Sequence, residues 1–440
     1  MKFAFKLDVA RIRRLTKESL WIVVGQLAAV LGALAGIRVL TELMSPEIYG
    51  QLALGMTLSL MASQALIGPL SAGGSRFFAS ASEAGELKPY ILGIRKLMWA
   101  ITVVILLLTV VVVTSVYASN YQTWIPLIIA AVVFALFTGY NNIVNGIQNA
   151  ARQRIIVALH SGLAPWIRIL IAAGMIYIFG ASSTVVISGY VLATLIILIS
   201  QYLFFKPVLH TAKHQLGAVN NTSKLWQTRI FNYSWPFATW GIFAAVHLAS
   251  DRWSLATFNS QTEVGFFAVL YQLGYFPVAI FTEMLVSLIS PMLFQRAGDG
   301  TSVHRVNNAL KLNVKMVCIV LLATMFIFIV AGLGHKFIFS IFVAKQYEMV
   351  SYLLPWVVLS AGIVSAGHVF SLSRMSALDT KGLIIPKVVT AIIGIILNIL
   401  GAYFYGLEGV VFAQVLFSMI YFGWMILQYI TFSKEQHLLA

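Results

Sequence analysis

Apolar segments of about 20 residues follow one another along nearly the whole chain, and this feature limits the possible folds most. About 20 apolar residues in a helix cross the hydrocarbon core of a bilayer, whereas a β-barrel strand is about 10 residues long and alternates apolar with polar side chains. These segments are apolar all round. Because backbone groups in lipid must pair within their own segment, we expect an all-α integral membrane protein.

A polar, basic stretch at residues 205–231 interrupts this series, with six apolar segments on each side. The architecture predicted from this count is 12 transmembrane helices in two six-helix bundles. An even number of spans in each half gives both halves the same orientation, so the halves would be related by a parallel pseudo-two-fold axis. The predicted spans cover residues 20–41, 50–72, 92–117, 124–147, 155–179, 184–204, 233–258, 264–293, 314–337, 349–372, 383–405 and 409–430.

The same pattern predicts the domain organisation and gives weak support for a duplication. SPEIYGQLAL at 45–54 shares its Ser, Gly and Ala in register with SQTEVGFFAV at 260–269, and AARQRIIV at 150–157 aligns with ALDTKGLI at 377–384. The predicted regions are a basic amphipathic N-terminus (1–17), an N-terminal bundle (18–205), a basic linker (206–231), a C-terminal bundle (232–432) and a tail (433–440).

The charge distribution predicts the topology. The chain has 29 Lys and Arg against 14 Asp and Glu, a net charge of +15, and most of the cations lie at the two termini and in alternate loops. By the positive-inside rule these parts are cytoplasmic, and the excess charge does not indicate nucleic-acid binding. The single Cys318 excludes a disulfide framework. Phosphate-loop, HExxH, CxxC and GxSxG motifs are missing, so we expect no enzyme activity, cofactor or metal.

Three motif regions resemble one family of transporters. GIRVLTELMSPEIYGQLALGMTLSLMASQALIGPLSAGGSRFF at 36–78 is similar to the first two helices of Wzx-type polysaccharide flippases, a branch of the multidrug/oligosaccharidyl-lipid/polysaccharide (MOP) exporter superfamily. EVGFFAVLYQLGY at 263–275 and NILGAYFYGLEGVVFAQVL at 398–416 extend the resemblance more loosely.

The resemblance implies a function. Two bundles would enclose a central cavity and move an undecaprenyl-diphosphate-linked oligosaccharide, such as an O-antigen repeat unit, from the cytoplasmic to the periplasmic leaflet by alternating access. The protein would lie in the bacterial inner membrane with both termini in the cytoplasm. It would act as a monomer, in contact with membrane lipid and in concert with a polysaccharide polymerase and a chain-length regulator.

Arginines inside predicted spans are the first candidate substrate contacts, because a diphosphate needs cations along its path and a charge in hydrocarbon is costly. Arg168 lies halfway along its span and shares a helix face with His160, which would make a basic stripe. Arg38 and Arg252 lie near the outer ends of spans in the two halves. A structural ion pair is the alternative for each, with Glu42 as the partner of Arg38.

Acidic and amide side chains form a second set of candidates. Asp251 and His247, spaced i and i+4, could touch, and with Glu283 they are candidates for ion coupling of a transporter that has no motor of its own. The alternatives are that Asp251 neutralises an arginine and that Glu283 bonds a neighbouring helix. Asn145 belongs to an amide stripe on span 4 and is a further substrate candidate, although such amides often serve only helix packing.

Two other functions fit a chain of this class. A cation-coupled multidrug exporter of the same superfamily would favour an acidic cavity, whereas the spans here hold more arginines than acids. A membrane polysaccharide polymerase or ligase would carry a large external loop with basic residues, and the longest external connection here is short and largely apolar. The residues therefore favour the flippase, and they leave the coupling ion open.

Overall fold

The computed structural model describes residues 9–213, 219–297, 303–376 and 381–438, and all regular structure in these residues is helical. The all-α prediction is confirmed. The helices are α1 (Val9–Leu43), α2 (Pro46–Ala62), α3 (Gly68–Glu83), α4 (Leu87–Ala118), α5 (Ile125–Ala150), α6 (Arg154–Phe179), α7 (Ser183–Lys213), α8 (Val219–Phe258), α9 (Gln261–Ala297), α10 (Val303–Phe342), α11 (Leu354–Ser376) and α12 (Ile384–Leu438).

Shorter elements connect some of these helices. A π-helical segment, Ser63–Ile67, joins α2 to α3, and 3-10 helices lie at Gln122–Trp124, Lys345–Leu353 and Lys381–Leu383. The first eight residues of the predicted amphipathic N-terminus lie outside the described residues, and from 9 to 17 only the helical backbone is described. The amphipathic character of that segment therefore stays a prediction.

Ten helices of the described chain are long and apolar enough to cross a membrane. The predicted number of twelve differs at two places. The seventh predicted span is helical within α8, but polar residues such as His247, Asp251 and Arg252 lower its hydropathy, and it is not among the ten. The last two predicted spans form one apolar stretch within α12, which is broken at Gly406 by non-helical torsion angles. The two-bundle arrangement of twelve helices stays a prediction.

The described residues form two compact units. Of the described residues, those within 9–43 and 58–241 belong to unit 1, and those within 44–57 and 242–438 belong to unit 2. In unit 1, α6 packs along α1 and α7, and α5 packs against α3 and α7. In unit 2, α11 packs against α9, α10 and α12.

A buried aromatic cluster fixes the beginning of α8 in unit 1. Trp226 is 2% exposed, its ring meets that of Tyr90 edge-to-face at 5.8 Å, and its indole nitrogen donates a hydrogen bond of 2.9 Å to Glu86 Oε2. Ile230, one turn later, is fully buried. This part of the predicted basic linker is therefore a packed helix, because its apolar side chains bury in unit 1 while its lysines and arginines stay outside.

Two glycines let helices of unit 2 meet in backbone contact. A Cβ atom at Gly50 of α2 would lie 1.8 Å from the carbonyl oxygen of Gln261, and one at Gly265 of α9 would lie 2.0 Å from that of Pro46. No side chain fits at either position, so small residues allow this close approach as they do in membrane helix pairs generally. The bond from Gln51 Nε2 to Gln261 Oε1, at 2.7 Å, ties the same two helices together.

The break in α12 is a turn that only glycine adopts readily. Gly406 has φ of 56° and ψ of −135°, and the following amide of Leu407 donates a bond of 2.8 Å to Glu263 Oε2. Tyr352 donates a hydrogen bond to the next carboxylate, Glu408. These contacts hold the turn against α9 and the 3-10 segment that begins at Lys345.

Candidate functional site

Arg168 lies on α6, inside unit 1, with its guanidinium over an aromatic ring. Its Cζ atom is 5.2 Å from the centroid of Phe134 on α5, and Phe134 in turn packs on Tyr190 of α7 at 5.8 Å. Arg168 Nε is buried and has no protein hydrogen-bond partner, and among the described residues no carboxylate is within ion-pair distance of it. The predicted alternative, a structural ion pair, is thus not formed within the described chain.

An arginine in this setting is available to an anion. A buried cation without a partner costs several kcal/mol, and the cation–π contact recovers only about 0.5 to 2 kcal/mol of this. The remaining hydrogen-bonding capacity of the guanidinium matches carboxylate or phosphate oxygens. The geometry at Arg168 therefore suits recognition of an anionic group.

His160 lies two turns before Arg168 on α6, and both of its ring nitrogens are occupied. Nδ1 lies 2.8 Å from the carbonyl oxygen of Ile156 and Nε2 lies 3.1 Å from Ser200 Oγ. Because a carbonyl only accepts, Nδ1 donates, and Nε2 then accepts from the serine hydroxyl in the neutral ring. His160 is therefore a polar neighbour on the Arg168 face whose ring is held by Ile156 and Ser200.

Asn145 belongs to a buried chain of amides between α5 and α7. Its Nδ2 donates to Asn141 Oδ1 at 3.0 Å, and Gln201 Nε2 donates both to Asn145 Oδ1 and, at 2.9 Å, to Gln148 Oε1. Asn145 is partly exposed, whereas Gln148 and Gln201 are fully buried. The two glutamines therefore orient Asn145 and cannot themselves reach a ligand outside the unit.

Sequence reasoning missed both glutamines. Gln148 lies seven residues, or two turns, after Asn141 on the same face of α5, and Gln201 is an isolated amide in an apolar segment. Both signals are visible in the sequence. That the two face each other across α5 and α7 is not, because helix spacing does not identify the neighbouring helix.

Arg38 forms an exposed pair with Glu42 at one end of α1. Arg38 Nη2 lies 2.5 Å from Glu42 Oε1, and the side chains are 40% and 51% exposed. This is the predicted i, i+4 alternative. Exposed pairs contribute about 0 to 1 kcal/mol, so the contact with Glu42 is weak, and the role of Arg38 as a substrate contact stays a prediction.

Arg252 and Asp251 form a buried pair in unit 2. Asp251 Oδ1 accepts bonds from the backbone amide of Arg252 at 2.6 Å and from its Nη1 at 3.0 Å, with the side chains 0% and 11% exposed. Arg252 Nη1 also donates to the Leu248 carbonyl at 3.0 Å, and its guanidinium lies 4.8 Å from the Tyr271 ring centroid. Here the carboxylate neutralises the arginine, as one of the predicted alternatives stated.

His247 and Asp251 do not form the contact that their spacing allows. His247 is 5% exposed, and its ring packs on Phe417 at 4.0 Å and against Gly394, where an added Cβ would lie 2.3 Å from Nε2. His247 Nε2 and Asp251 Oδ2 are both buried without a hydrogen-bond partner in the described chain. Packing on the aromatic ring directs the imidazole towards α12, whereas Asp251 is held by Arg252.

Other polar groups of α8 and α12 lie beside this pair. Asn398 is fully buried and its Nδ2 donates to Ser250 Oγ at 2.8 Å, while Gln414 Nε2 donates to Asn398 Oδ1 at 3.4 Å. This part of unit 2 therefore combines one carboxylate oxygen and one imidazole nitrogen without partners with amide and hydroxyl oxygens. Within the described residues, no group of three His, Cys, Asp or Glu residues could hold a metal ion.

Glu283, the third candidate for ion coupling, is exposed, whereas Asp251 is fully buried. Glu283 lies on α9 inside the apolar span Gln261–Val286. Ser287 and Ser290, four and seven residues later on the same face of α9, have side chains outside the described set. Gln272, earlier on α9, accepts a hydrogen bond of 3.2 Å from the Tyr49 hydroxyl.

The comparisons with known proteins agree on the class of molecule. The sequence model of a family described as "Polysaccharide biosynthesis protein" matches residues 7–296. No curated protein sequence matches the chain. Several solved structures share its fold, and those described below are transporters or flippases rather than enzymes.

Three of these structures are similar over nearly their whole length. The lipid II flippase MurJ in an inward closed conformation has a TM-score of 0.68 at 12% identity, covering 96% of this chain and 91% of its own. An inward-facing MATE family multidrug resistance transporter of the MOP superfamily has a TM-score of 0.61 at 16% sequence identity. The match covers 92% of this chain and 96% of the transporter. A MOP superfamily transporter from Pyrococcus furiosus has a TM-score of 0.61 at 13% sequence identity. The match covers 94% of this chain and 95% of the transporter.

Identities this low establish a shared fold and leave the substrate open. Together with the ten apolar helices, the matches indicate a multi-pass membrane protein with a MurJ- and MATE-like fold. The resemblance to MOP-superfamily flippases predicted from residues 36–78 is confirmed.

Proposed function

Because the chain belongs to the polysaccharide biosynthesis protein family, we propose that it flips undecaprenyl-diphosphate-linked oligosaccharide repeat units, of an O-antigen or related surface polysaccharide, from the cytoplasmic to the periplasmic leaflet. A diphosphate and a row of sugar hydroxyls cannot cross hydrocarbon unaided, so a carrier must offer cations and hydrogen bonds at membrane depth. The lipid tail can remain in the bilayer throughout.

Arg168 is the observation on which the proposal rests. It is a guanidinium inside a membrane helix with an unused Nε–H donor and no carboxylate partner in the described chain. A diphosphate would supply the missing anion. Asn145, oriented by Gln201, and the polar face of His160 would contact the glycan, and Arg38 and Arg252 would be secondary diphosphate contacts.

The mechanism proposed is alternating access of two six-helix bundles around a central cavity, with both termini in the cytoplasm of a bacterial inner-membrane protein. The protein would work as a monomer and deliver its cargo to a polymerase and a chain-length regulator. The multidrug-exporter and polymerase alternatives gain no support from the family match, so they are not proposed.

Ion coupling would reside in unit 2. Asp251 Oδ2 and His247 Nε2 are buried groups without partners that could exchange a cation or proton. Asp251 is held by Arg252, whereas His247 packs on Phe417. The two groups would therefore act as neighbours and not as a hydrogen-bonded pair. Glu283, which is exposed, would be an accessory site at most.

The decisive experiment locates the lipid-linked repeat unit in cells that lack this protein. An impermeant oxidant of glycans, applied to spheroplasts, labels units on the periplasmic leaflet only. We expect full-length units to be protected in the deletion strain and labelled after the wild-type chain is restored. Arg168→Ala should leave them protected, whereas Lys96→Ala, at an exposed position of α4, should restore labelling. Unpolymerised units labelled in the deletion strain would contradict the flippase proposal and indicate a polymerase.

A further inference from the structure

A groove lies between the two limbs of α12 in unit 2. The turn at Gly406 divides the helix into limbs 384–405 and 407–438. The limbs touch near the turn, because a Cβ atom at Gly401 would lie 2.5 Å from the carbonyl oxygen of Gly409. The cavity between them has a volume of about 460 Å³. We call it the α12 groove, and its apolar lining includes Leu397, Leu400, Phe404, Phe412, Ala413 and Leu416.

The walls of the α12 groove are apolar side chains that the described chain leaves uncovered. Leu400 and Phe404, one turn apart on the first limb, are 46% and 64% exposed. Phe412 and Leu416, one turn apart on the second limb, are 48% and 47% exposed. Ala413, which also lines the groove, is nearly buried. Large side chains on both limbs with a small one among them leave room for a narrow apolar chain.

The length of the groove indicates which apolar chain fits it. Apolar limbs of span length lie on both sides of Gly406, so the turn lies near a membrane surface. Glu408 and Leu416 both line the groove, and the eight residues between them rise by about 12 Å in a helix. One leaflet holds roughly 15 Å of hydrocarbon, half of the bilayer core. A partner helix would cross both leaflets, whereas an acyl chain occupies only one, so the groove fits a lipid chain.

The charge of the α12 groove lies beside the turn, at Glu408. Its carboxylate accepts a hydrogen bond from the Tyr352 hydroxyl, and among the described residues no basic side chain is within ion-pair distance of it. Glu263, which bonds the Leu407 amide, adds a second negative charge at this turn. Tyr405, also in the lining, is 77% exposed and offers an aromatic face to a cation. These groups attract an ammonium group and repel a head group whose only charge is a phosphate.

We propose that the α12 groove binds one acyl chain of an amine-headed phospholipid, such as phosphatidylethanolamine, with the lipid's ammonium group on Glu408. The Tyr352 hydroxyl orients the carboxylate, which can accept further hydrogen bonds from the primary ammonium. A choline head group has the same positive charge without an N–H donor, and phosphatidylglycerol has no cation. The site therefore prefers ethanolamine to choline and choline to glycerol. This site is distinct from the proposed transport path and does not depend on which substrate is carried.

Photolabelling of the full-length protein in lipid nanodiscs locates the acyl chain. The probe is phosphatidylethanolamine with a diazirine at the end of one acyl chain, in trace amount among phosphatidylcholine, and the labelled peptides are identified by mass spectrometry. We expect more label in residues 397–416 than around Leu322 and Phe326 of α10, an apolar surface that is 72% and 69% exposed at these residues. Equal labelling of the two surfaces would overturn the proposal.

Competition with unlabelled lipids tests the head group. Phosphatidylethanolamine should displace the label from 397–416 at a concentration about two- to five-fold lower than phosphatidylglycerol, the range expected for an exposed ion pair. Glu408→Gln, which still offers an acceptor to Tyr352, should abolish this difference. Glu348→Gln, on the same 3-10 segment as Tyr352 and outside the groove lining, should preserve it.

Two results of this competition would contradict the proposal. Equal displacement by the two phospholipids in the wild-type protein would show that the head group is not recognised. Displacement by undecaprenyl phosphate at a lower concentration than by phosphatidylethanolamine would assign the groove to the tail of the proposed substrate instead.

A second substitution tests the acyl chain independently of the head group. Ala413→Leu places a larger side chain in the groove and should lower the labelling of 397–416 at least two-fold. Gly423→Leu is the matched control on the same limb, because an added Cβ atom there would meet nothing within 4 Å, and it should leave the labelling unchanged. Unchanged labelling in Ala413→Leu would overturn the proposal. If Ala413→Leu does not fold, the competition in the wild-type protein and in Glu408→Gln decides.

Discussion

Arg168 in unit 1 and Arg252 in unit 2 carry the same side chain into similar aromatic surroundings, and they differ in their partners. Arg168 lies over Phe134 without a carboxylate in the described chain, whereas Arg252 lies over Tyr271 with Asp251 bonded to it. The pair in unit 2 is nearly neutral as a whole. The comparison shows that a membrane arginine is a candidate for ligand binding when its local charge is unbalanced, and that its depth in the span alone does not decide this.

The largest effect is expected from breaking the pair in unit 2. Asp251→Ala leaves Arg252 charged and buried without its partner, which should lower the free energy of unfolding in mixed micelles by about 3 to 5 kcal/mol. Adding Arg252→Met should recover most of this loss. If the single variant loses less than about 1 kcal/mol, Arg252 is solvated from elsewhere and the contrast with Arg168 fails.

Replacing Arg168 should lower flipping activity without lowering the stability of the protein, unlike the loss of Asp251. Arg168→Met deletes a charge that has no carboxylate partner within the described residues, so the free energy of unfolding should stay the same or rise. Flipping of the repeat unit should fall about 10- to 100-fold, the equivalent of one or two hydrogen bonds to a charged group. Arg168→Lys should keep part of the activity. A stability loss as large as that of Asp251→Ala would indicate a structural partner for Arg168.

The amide chain of unit 1 should show an intermediate effect. Gln201→Leu leaves Asn145 Oδ1 and Gln148 Oε1 without their donor, so we expect unfolding free energy to fall by about 1 to 3 kcal/mol and flipping to weaken. Gln227→Leu on α8, where the amide makes only a long bond of 3.4 Å to Ser223, is the matched control. Full flipping activity in Gln201→Leu would show that substrate binding does not depend on the orientation that Gln201 gives Asn145.

The smallest effect belongs to the exposed pair of α1. A double-mutant cycle with Arg38→Gln and Glu42→Gln should give a coupling energy of less than about 1 kcal/mol, because both side chains are largely exposed. High salt should reduce it further. A larger, salt-independent coupling would show that this pair resembles the buried pair of unit 2.

The sequence predicts the helices well and their partners poorly. Each apolar run is helical because lipid leaves the backbone no other partner, and the polar α5 face around Asn145 follows from helical spacing. The i, i+4 spacing of His247 and Asp251 also predicts a contact between them, yet the Asp251 carboxylate bonds the adjacent Arg252 instead. Spacing defines the face of a helix, and only the packing of neighbouring helices decides which groups on it meet.

The exposure of single side chains within apolar runs was also beyond sequence reasoning. Glu283 lies inside the apolar span Gln261–Val286, as predicted, and yet its side chain is exposed. Polar residues within α8 likewise obscured the length of that helix, which begins in the predicted linker and is anchored there by Trp226. A hydropathy pattern averages over a helix, whereas exposure depends on single side chains.

The contact between Gly50 and Gly265 also bears on how this sequence can change over time. The two glycines occupy the same register position in the repeated motifs at 45–54 and 260–269, and each lies against the other helix's backbone. A side chain gained by either helix would push the other away, so neither position can vary while its counterpart stays fixed. Two copies of a motif that touch in this way are bound to keep the same small residue, and traces of an ancient duplication should persist longest where the copies meet.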